Sequence, residues 1–355
     1  MRWAGWWAAA LLCSAACGGA HPATTGNGGG GGGGDTTPDG GPSGGDPDAG
    51  GPAPECASLM PAPPGAAFTF DVATDGTCGA STIDGAGYSV CDVQTPRSRE
   101  WIEYGPNGIR SGTFGGPTRL FPQRTGFISV YLDAPQMVAV WDPYGTPIIN
   151  SDLAGKAIAL GPAGGGGVIA LAVSSGTLEV RKLDEKGFDI TGTAISASGT
   201  PIGAAEDAIG VVLALTANGS DVSGLWVDLA TKAAGKQFTL GTGTAVLARP
   251  LLDGGIAVQL DGRWAGVIRP GETSLQPARA WMGSAADIVP VRAGKAYALV
   301  PASGNRVEIV SSQGNSCGSV TFPGVRAVHF GIDGSVVGST GSQGCTKLVW
   351  RNILR

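Results

Sequence analysis

A short unit recurs along this chain: a glycine, an apolar run, a polar turn and a second apolar run. One copy reads Gly167-Val-Ile-Ala-Leu-Ala-Val, then Ser-Ser-Gly, then Leu178-Glu-Val-Arg. Self-similarity at a fixed period is typical of repeat architectures and constrains the fold more than any single motif does. The leading glycine occurs seven times, at intervals of 39 to 45 residues: Gly87, Gly126, Gly167, Gly210, Gly255, Gly294 and Gly334.

A second landmark, the central apolar residue of the second apolar run, follows each of these glycines at a nearly constant distance. The runs around it are short, rich in aliphatic and β-branched residues, and bounded by turns such as Asp253-Gly254-Gly255. Each unit has room for four strands of about five residues, and no stretch has the periodicity and length of a helix. The central apolar residue of the second run follows each glycine by 12 to 17 residues: Ile102, Val140, Val180, Val227, Val267, Ile309 and Val349.

Units of about 41 residues with four strands have the period of a β-propeller. We therefore predict an all-β fold, a seven-bladed β-propeller of four-stranded antiparallel blades. A two-sheet β-sandwich is the alternative, which explains the strands but not the sevenfold step. The last unit stops at Arg355, just past its third strand, while the strand-like run Ala67–Val72 precedes the first unit. We predict that this N-terminal strand completes the last blade and removes its open edge.

Two stretches resemble a known kind of propeller repeat. Leu225-Trp-Val-Asp-Leu-Ala-Thr-Lys-Ala-Ala-Gly-Lys is similar to the strand–turn portion of pyrroloquinoline-quinone-type propellers and of the propeller lipoprotein of the outer-membrane protein assembly machine. Val138-Ala-Val-Trp-Asp-Pro-Tyr-Gly is a weaker match. The resemblance covers two of the seven units and lacks regularly placed tryptophans. It implies the architecture and no functional residue.

The N-terminus has the layout of an export signal. Residues 1–16 carry one positive charge at Arg2, an apolar stretch from Ala4 to Leu12 that is too short to span a bilayer, and small residues before Cys17. Ser14-Ala-Ala-Cys17 resembles the lipobox of bacterial lipoproteins, with serine where that family usually has an aliphatic residue. The resemblance implies that Cys17 is diacylated, and two acyl chains anchor a protein stably. The alternative is an ordinary signal peptide with Cys17 incidental.

Residues 17–55 have almost nothing to bury. They are mostly Gly, Pro, Asp, Ser and Thr and include an unbroken glycine run at 28–34. Such a segment cannot offset its ordering entropy, so we predict a disordered tether that leads to a propeller domain at 56–355. A phosphate-binding loop is disfavoured because no strand precedes the run and no Gly-Lys-Ser/Thr follows it.

Charge and cysteine content narrow the partners. The net charge is −5 with no basic run, so nucleic acid is not an expected partner. In an exported protein the later cysteines are disulfide candidates. We expect Cys317 to pair with Cys345 from the adjacent unit, and Cys78 with Cys91. Cys56 is then odd, although it could also pair with Cys78 or Cys91. No Cys-x-x-Cys or histidine pair suggests zinc, and no metal or cofactor is expected.

The sequence offers few candidate residues for nucleophilic catalysis. His21 lies in the tether, which leaves only His329, in an alternating strand-like run where a structural role is commoner. Gly314-Asn-Ser316-Cys-Gly318 matches the Gly-x-Ser-x-Gly elbow, but that elbow requires a following helix, and the sequence after it predicts a strand. We interpret the match as a turn and predict no catalytic residue.

Carboxylates and aromatic residues offer two further possibilities. Asp253 and Asp333 precede glycine in equivalent turns, where aspartate has a backbone role. Asp71 to Asp75 lacks the further oxygen ligands of a calcium loop. One set of aromatic residues could form a sugar platform, although inter-blade core is their commoner role: Tyr144, Trp226, Trp264 and Trp281.

These features favour a non-enzymatic lipoprotein, exported and lipid-anchored in the cell envelope. Its propeller would act as a binding or scaffold module for a protein or polysaccharide of the envelope, with membrane contact through the anchor only. The alternative is an extracytoplasmic hydrolase or lyase that acts on a carbohydrate or polymer with a carboxylate-based axial site. Three or more inward-facing carboxylates or arginines in a polar axial pocket would favour that enzyme.

Overall fold

The chain divides into two compact units, Met1–Ala49 and Gly50–Arg355. All residues with a defined placement belong to the second unit. The computed structural model describes residues 53–61, 63–71, 77–83, 89–94, 99–105, 108–114, 118–122, 127–131, 137–141, 147–152, 157–163, 167–174, 177–184, 189–291, 294–330, 336–340 and 346–350.

Antiparallel sheets follow one another along these residues, seven in the described part of the chain. The first three sheets have four strands each: β2 (Thr77–Ile83), β3 (Ser89–Gln94), β4 (Arg99–Gly105) and β5 (Gly108–Phe114); β6 (Thr118–Pro122), β7 (Phe127–Tyr131), β8 (Met137–Trp141) and β9 (Pro147–Asp152); β10 (Ala157–Pro162), β11 (Val168–Ser174), β12 (Thr177–Leu183) and β13 (Asp189–Ile195).

The other four sheets differ in what occupies the place of the fourth strand. Two short 3-10 helices, Pro54–Ser58 and Ala280–Met282, accompany them. The strands of sheets four to seven are, in order: β14 (Thr200–Glu206), β15 (Val211–Asn218) and β16 (Asp221–Asp228), with β17 (Ala233–Ala234) and β18 (Phe238–Thr242) both on β16; β19 (Val246–Pro250), β20 (Ile256–Leu260) and β21 (Arg263–Ile268); β22 (Asp287–Val291), β23 (Ala296–Val300), β24 (Arg306–Ser311) and β25 (Ser316–Thr321); β26 (Ala327–Phe330), β27 (Val336–Thr340) and β28 (Thr346–Trp350), with β1 (Phe68–Asp71).

The two sequence landmarks have fixed places in these sheets. Each leading glycine comes just before a second strand, as Gly210 does before β15, and each apolar landmark lies in a third strand. The third-strand landmark also pairs with a residue of the second strand: Val180 lies opposite Leu171, and Val227 opposite Val212. Of the leading glycines, those at 87, 126 and 334 lie outside the described residues.

Gly167 shows why a glycine recurs at this place. Its φ is +98°, in the left-handed region that other residues avoid, and a Cβ there would lie 2.0 Å from the carbonyl oxygen of Leu183 on the third strand. The turn into the second strand therefore requires both a positive φ and the absence of a side chain.

The second strand of the fourth sheet is largely apolar because both faces of that sheet are buried. In β15, Val212 packs in one core cluster with Leu171 of the third sheet, while the adjacent Leu213 packs in another with Ile256 of the fifth. All four are fully buried. Because successive strand residues face opposite sides, a sheet between two neighbours requires an unbroken apolar run.

The sheets approach one another through their first strands. β2 contacts β6, β10 contacts β14, and β14 contacts β19. β2 also contacts β26 and β27 of the last sheet, so the first and last sheets are neighbours. The first strand of the first sheet therefore lies against the last sheet of the series.

The N-terminal strand closes the last sheet. β1 pairs antiparallel with β28, with Phe68 opposite Val349 and Asp71 opposite Thr346. This confirms the prediction that the run before the first unit fills the outer position of the last one.

The disulfide differs from the expected pairing. Cys317 is bonded to Cys56, with their Cα atoms 4.9 Å apart, and not to Cys345. The physical reason is that the Pro54–Ser58 helix packs on β25, where Cys317 lies. Cys345 lies outside the described residues. Cys78 and Cys91 lie on the neighbouring strands β2 and β3, opposite Val93 and Ser81 respectively, and their pairing stays a prediction.

Candidate functional site

The fifth sheet departs most from the repeat. It has no fourth strand among the described residues. The connection of residues 269–286, here called the 269–286 segment, pairs with β21 through a single bridge. In that bridge the Val267 amide donates to the Gln276 carbonyl at 2.9 Å, and the Gln276 amide donates to the Val267 carbonyl at 2.8 Å. The prediction of four strands in every unit is therefore wrong here. Pro270 and Pro277 lack the N–H that a ladder requires.

Two buried tryptophans fix this segment. Trp226 Nε1 donates to the Glu272 carbonyl at 2.8 Å, and Trp264 Nε1 donates to the Ala285 carbonyl at 2.7 Å. Their residues are only 7% and 8% exposed. Both indoles are inter-sheet core with a polar tip that holds a loop, so they offer no open platform for a sugar.

Trp281 has a similar role at the next sheet. Its ring stacks on that of Tyr297, with centroids 4.9 Å apart and planes 20° apart. It also contacts Gly314, where a Cβ would lie 2.5 Å from Trp281 Cδ1. Tyr297 is fully buried, and its hydroxyl oxygen accepts the Leu252 amide at 2.7 Å. Burial raises the pKa of Tyr297, which keeps the phenol protonated. Tyr144 lies outside the described residues.

An ion cluster ties the same segment to the turn before β20. Asp253 Oδ2 accepts from Arg269 at 2.8 Å and from Arg279, while Oδ1 accepts the Gly255 amide at 3.3 Å. Partial burial alone would raise the pKa of Asp253. The hydrogen bonds from Arg279 and Gly255 and the charges of both arginines outweigh burial and hold that pKa below its usual value. Asp253 therefore stays ionised and is unsuited to act as a general acid.

A charged pair joins the first strands of two neighbouring sheets. The guanidinium of Arg249 in β19 donates to both carboxylate oxygens of Asp287 in β22, at 2.6 and 2.9 Å. Arg249 also donates to the Ala248 carbonyl, and Asp287 accepts the Ile288 amide. Both side chains are about one quarter exposed, at 26% and 29%. This bidentate pair links the fifth sheet to the sixth where the first strands converge.

A buried carboxylate links the third sheet to the fourth. Glu206, at the end of β14, is 2% exposed and accepts from Lys182 Nζ of β12 at 2.5 Å. The next residue, Asp207, accepts the amides of Ile209 and Val211 and so shapes the turn into β15. The carboxylates of both residues thus have structural partners.

Two further aspartates serve turns. The Asp228 pKa is lowered, first by the Thr231 hydroxyl and then by the amides of Thr231 and Ala230. The Asp261 pKa is lowered by the amides of Ala245 and Thr244 and by the Thr244 hydroxyl. These contacts agree with the backbone role predicted for turn aspartates.

The remaining predicted positions lie apart from one another. Ser316 is the first residue of β25, so a strand and not a helix follows it, as predicted. Its hydroxyl donates to the Glu308 carboxylate at 2.8 Å. His329 lies in β26 and Asp71 in β1. Cys17, Asp75 and Asp333 lie outside the described residues.

Among the described residues, no three histidine, cysteine or acidic side chains come together as a metal site would require. Within the same ranges, no helix has the length and apolar character needed to cross a membrane.

The sequence did not point to the ion pairs between sheets. Arg249 and Asp287 are 38 residues apart and meet only because consecutive first strands are neighbours. A usable signal was present, since Arg249 interrupts the otherwise apolar run Val246–Pro250. A charged residue inside an apolar strand indicates a partner across a seam between sheets.

No protein-family model matches the sequence, and no curated protein matches it. Several solved structures are similar in fold. The β-propeller domain of Swd1 from Myceliophteria thermophila has a TM-score of 0.50 at 10% identity, over 80% of this chain and 99% of that one. Virginiamycin B lyase from Staphylococcus aureus has 0.51 at 8% identity, over 80% and 98%.

A chain of Kuenenia stuttgartiensis hydrazine synthase has a TM-score of 0.50 at 11% identity, over 77% of this chain and 95% of that one. Identities this low show the fold alone. The fold is that of β-propeller proteins.

Proposed function

We propose that this protein is a lipid-anchored protein of the cell envelope, whose seven sheets are the blades of a seven-bladed propeller. Cys17 carries the lipid, residues 17–55 are the tether, and the propeller is a binding or scaffold module. Its partner is a protein or polysaccharide of the envelope.

The observation that carries this proposal is that charged side chains form ion pairs between neighbouring sheets. Lys182–Glu206 bridges the third and fourth sheets, and Arg249–Asp287 bridges the fifth and sixth. Asp253, with its lowered pKa, holds the 269–286 segment. A carboxylate that works as a general acid near neutral pH requires a raised pKa. These groups are placed to make the array of sheets rigid, as a binding module requires.

The disulfide and the tether support the proposed address. Disulfides persist in oxidising compartments outside the cytosol, and Cys56–Cys317 joins residues 261 positions apart. A flexible tether of this length has an end-to-end distance of about 30 Å, which would hold the domain clear of the membrane surface.

The anchor is tested by cell fractionation. Cys17→Ser should move the protein from the membrane fraction to the soluble envelope fraction, because it removes the acylated residue. Cys13→Ser, four residues earlier in the signal, is the matched control and should stay in the membrane fraction. Retention of the Cys17→Ser protein in membranes would contradict the anchor.

The binding role is tested by cross-linking in intact cells followed by mass identification of what is captured. We expect one envelope component to be enriched over a strain that carries an unrelated lipoprotein with the same anchor. An equal background in both strains would contradict a binding role.

One observation favours the enzymatic alternative. Arg249 and Asp287 are partly exposed and lie on the first strands of the fifth and sixth sheets. If the protein depolymerised an envelope polysaccharide, and Asp287→Asn abolished that activity with the fold intact, the hydrolase or lyase would replace the scaffold.

A further inference from the structure

The segment that precedes the closing strand is attached to a different sheet from the one it closes. The Pro54–Ser58 helix packs on β25 of the sixth sheet. Cys56 is bonded to Cys317, and both are buried, at 0% and 2% exposure. Asn315 also donates to the Glu55 carboxylate.

The contact continues along the segment. Leu59 is 4% exposed and belongs to the same core cluster as Phe322 and Trp350 of the sixth and seventh sheets. Pro61 lies over Gly318 of β25, since a Cβ on that glycine would be 3.5 Å from the proline ring. The chain then reaches the outer edge of the seventh sheet, where β1 pairs with β28.

The closing strand is short and lies at the edge of its sheet. β1 has four residues and pairs on one side only, with β28. Short strands at a sheet edge open locally at small free-energy cost. The disulfide fixes the chain at Cys56, before β1, while β2 fixes it after residue 76. A strand held at both ends loses less order when it re-forms, so it opens less often.

We propose that the Cys56–Cys317 disulfide is a covalent clasp that keeps the closing strand β1 on β28. While the bond is intact, β1 is confined at both ends. Reduction by a dithiol transfers two electrons and two protons to the bond, breaks S–S into two thiols and oxidises the dithiol to its own disulfide. β1 is then held by its pairing with β28, by its connection to β2 and by the noncovalent contacts of the Pro54–Ser58 helix and Leu59.

The clasp has a consequence for the tether, which rests on the anchor proposed above. A pull on the tether reaches Cys56 before it reaches β1. The covalent bond passes that pull to β25 and the core around it, and β1 is not peeled from its partner.

Hydrogen exchange of the full chain tests the clasp. Three forms are compared: the oxidised protein, the same protein with dithiothreitol, and the double variant Cys56→Ala/Cys317→Ala, which leaves no single thiol to mispair. Amides of residues 67–71 and 346–350 should exchange about tenfold faster without the bond, while β20 should stay within about twofold. Ser58→Ala, an exposed change in the same helix, is the control and should match the oxidised protein.

Two outcomes would overturn the clasp. Unchanged exchange at β1 and β28 after loss of the bond would show that strand pairing suffices. Equal acceleration in β20 would show that the bond stabilises the whole domain and has no particular effect on the closing strand. If the double variant fails to fold, protein reduced with dithiothreitol until thiol labelling shows that the bond is open gives the same comparison. None of these measurements involves a membrane, so their result is independent of the Cys17→Ser test.

Discussion

The fifth and seventh sheets both lack a fourth strand from their own repeat, and they make up for it in different ways. The seventh sheet takes β1 and pairs it along four residues of backbone. The fifth sheet has one backbone bridge and relies on side chains: the indoles of Trp226 and Trp264 and the carboxylate of Asp253 hold the 269–286 segment. Backbone pairing tolerates many sequences, whereas attachment by side chains depends on particular residues. The two sheets should therefore respond differently to mutation.

Removal of the borrowed strand should have the largest effect. Deletion of residues 56–72 removes β1 and the disulfide together. Loss of a native disulfide alone typically lowers the free energy of unfolding by about 2–5 kcal/mol. Opening the last sheet adds to that loss, because the stability of stacked units depends on contacts between neighbours. Chemical denaturation measures the difference, and an unchanged midpoint would contradict closure by β1.

Trp264→Ala should be the most damaging single substitution in the fifth sheet. The indole is 8% exposed, so truncation should cost about 3–5 kcal/mol through lost packing and a cavity. Trp264→Phe keeps an aromatic ring and removes the hydrogen bond to Ala285, which should cost about 1–2 kcal/mol. Equal losses for the two variants would show that the segment is held by the hydrogen bond alone.

Gly314→Ala tests the contact between the 269–286 segment and the sixth sheet. Gly314 has φ +97°, and an added methyl would meet Trp281. We expect a loss of about 1–3 kcal/mol from backbone strain and overlap together. Gly304→Ala is the matched control, because Gly304 has φ +110° and open space around its Cβ position. A loss no larger than that of the control would show that Trp281 yields freely.

Asp253→Asn should have the smallest effect. The carboxylate is about one third exposed, so the ion cluster should contribute about 1 kcal/mol or less. Because the folded-state pKa of Asp253 is lowered, this contribution is present above the unfolded pKa of about 3.9 and is lost as pH falls through the folded pKa.

The pH dependence gives the decisive comparison for this residue. Denaturation measured from neutral to acid pH should show the wild-type advantage over Asp253→Asn shrink below about pH 4. Asp221→Asn, a change at an exposed aspartate at the start of β16, is the control. An advantage that persisted in acid would show that the charge of Asp253 does not hold the segment.

The comparison also separates what sequence can and cannot predict here. The repeating sheets and the borrowed strand were predictable because their signals are local: Gly167 has to have a positive φ, and β15, which is buried on both faces, has to be largely apolar. The Cys56–Cys317 bond and the Arg249–Asp287 pair were not, because they depend on which sheets become neighbours. The 269–286 segment was missed because we expected a fourth strand in this unit by analogy with the other units. The prolines of the segment prevent that strand from pairing.

Directed cross-linking of the closing strand tests the central claim most directly. Thr69 lies opposite Leu348 in the β1–β28 register, and opposite residues have Cα atoms about 4.5–5.5 Å apart, a separation that a disulfide can span. Thr69→Cys/Leu348→Cys should form that bond in the folded protein under mild oxidation, as peptide mass mapping would show. Thr69→Cys/Ser339→Cys, with the second cysteine one strand further away on β27, should not. A folded protein in which position 69 failed to link to position 348, or linked equally to 339, would contradict the closure of the last sheet by the first strand of the chain.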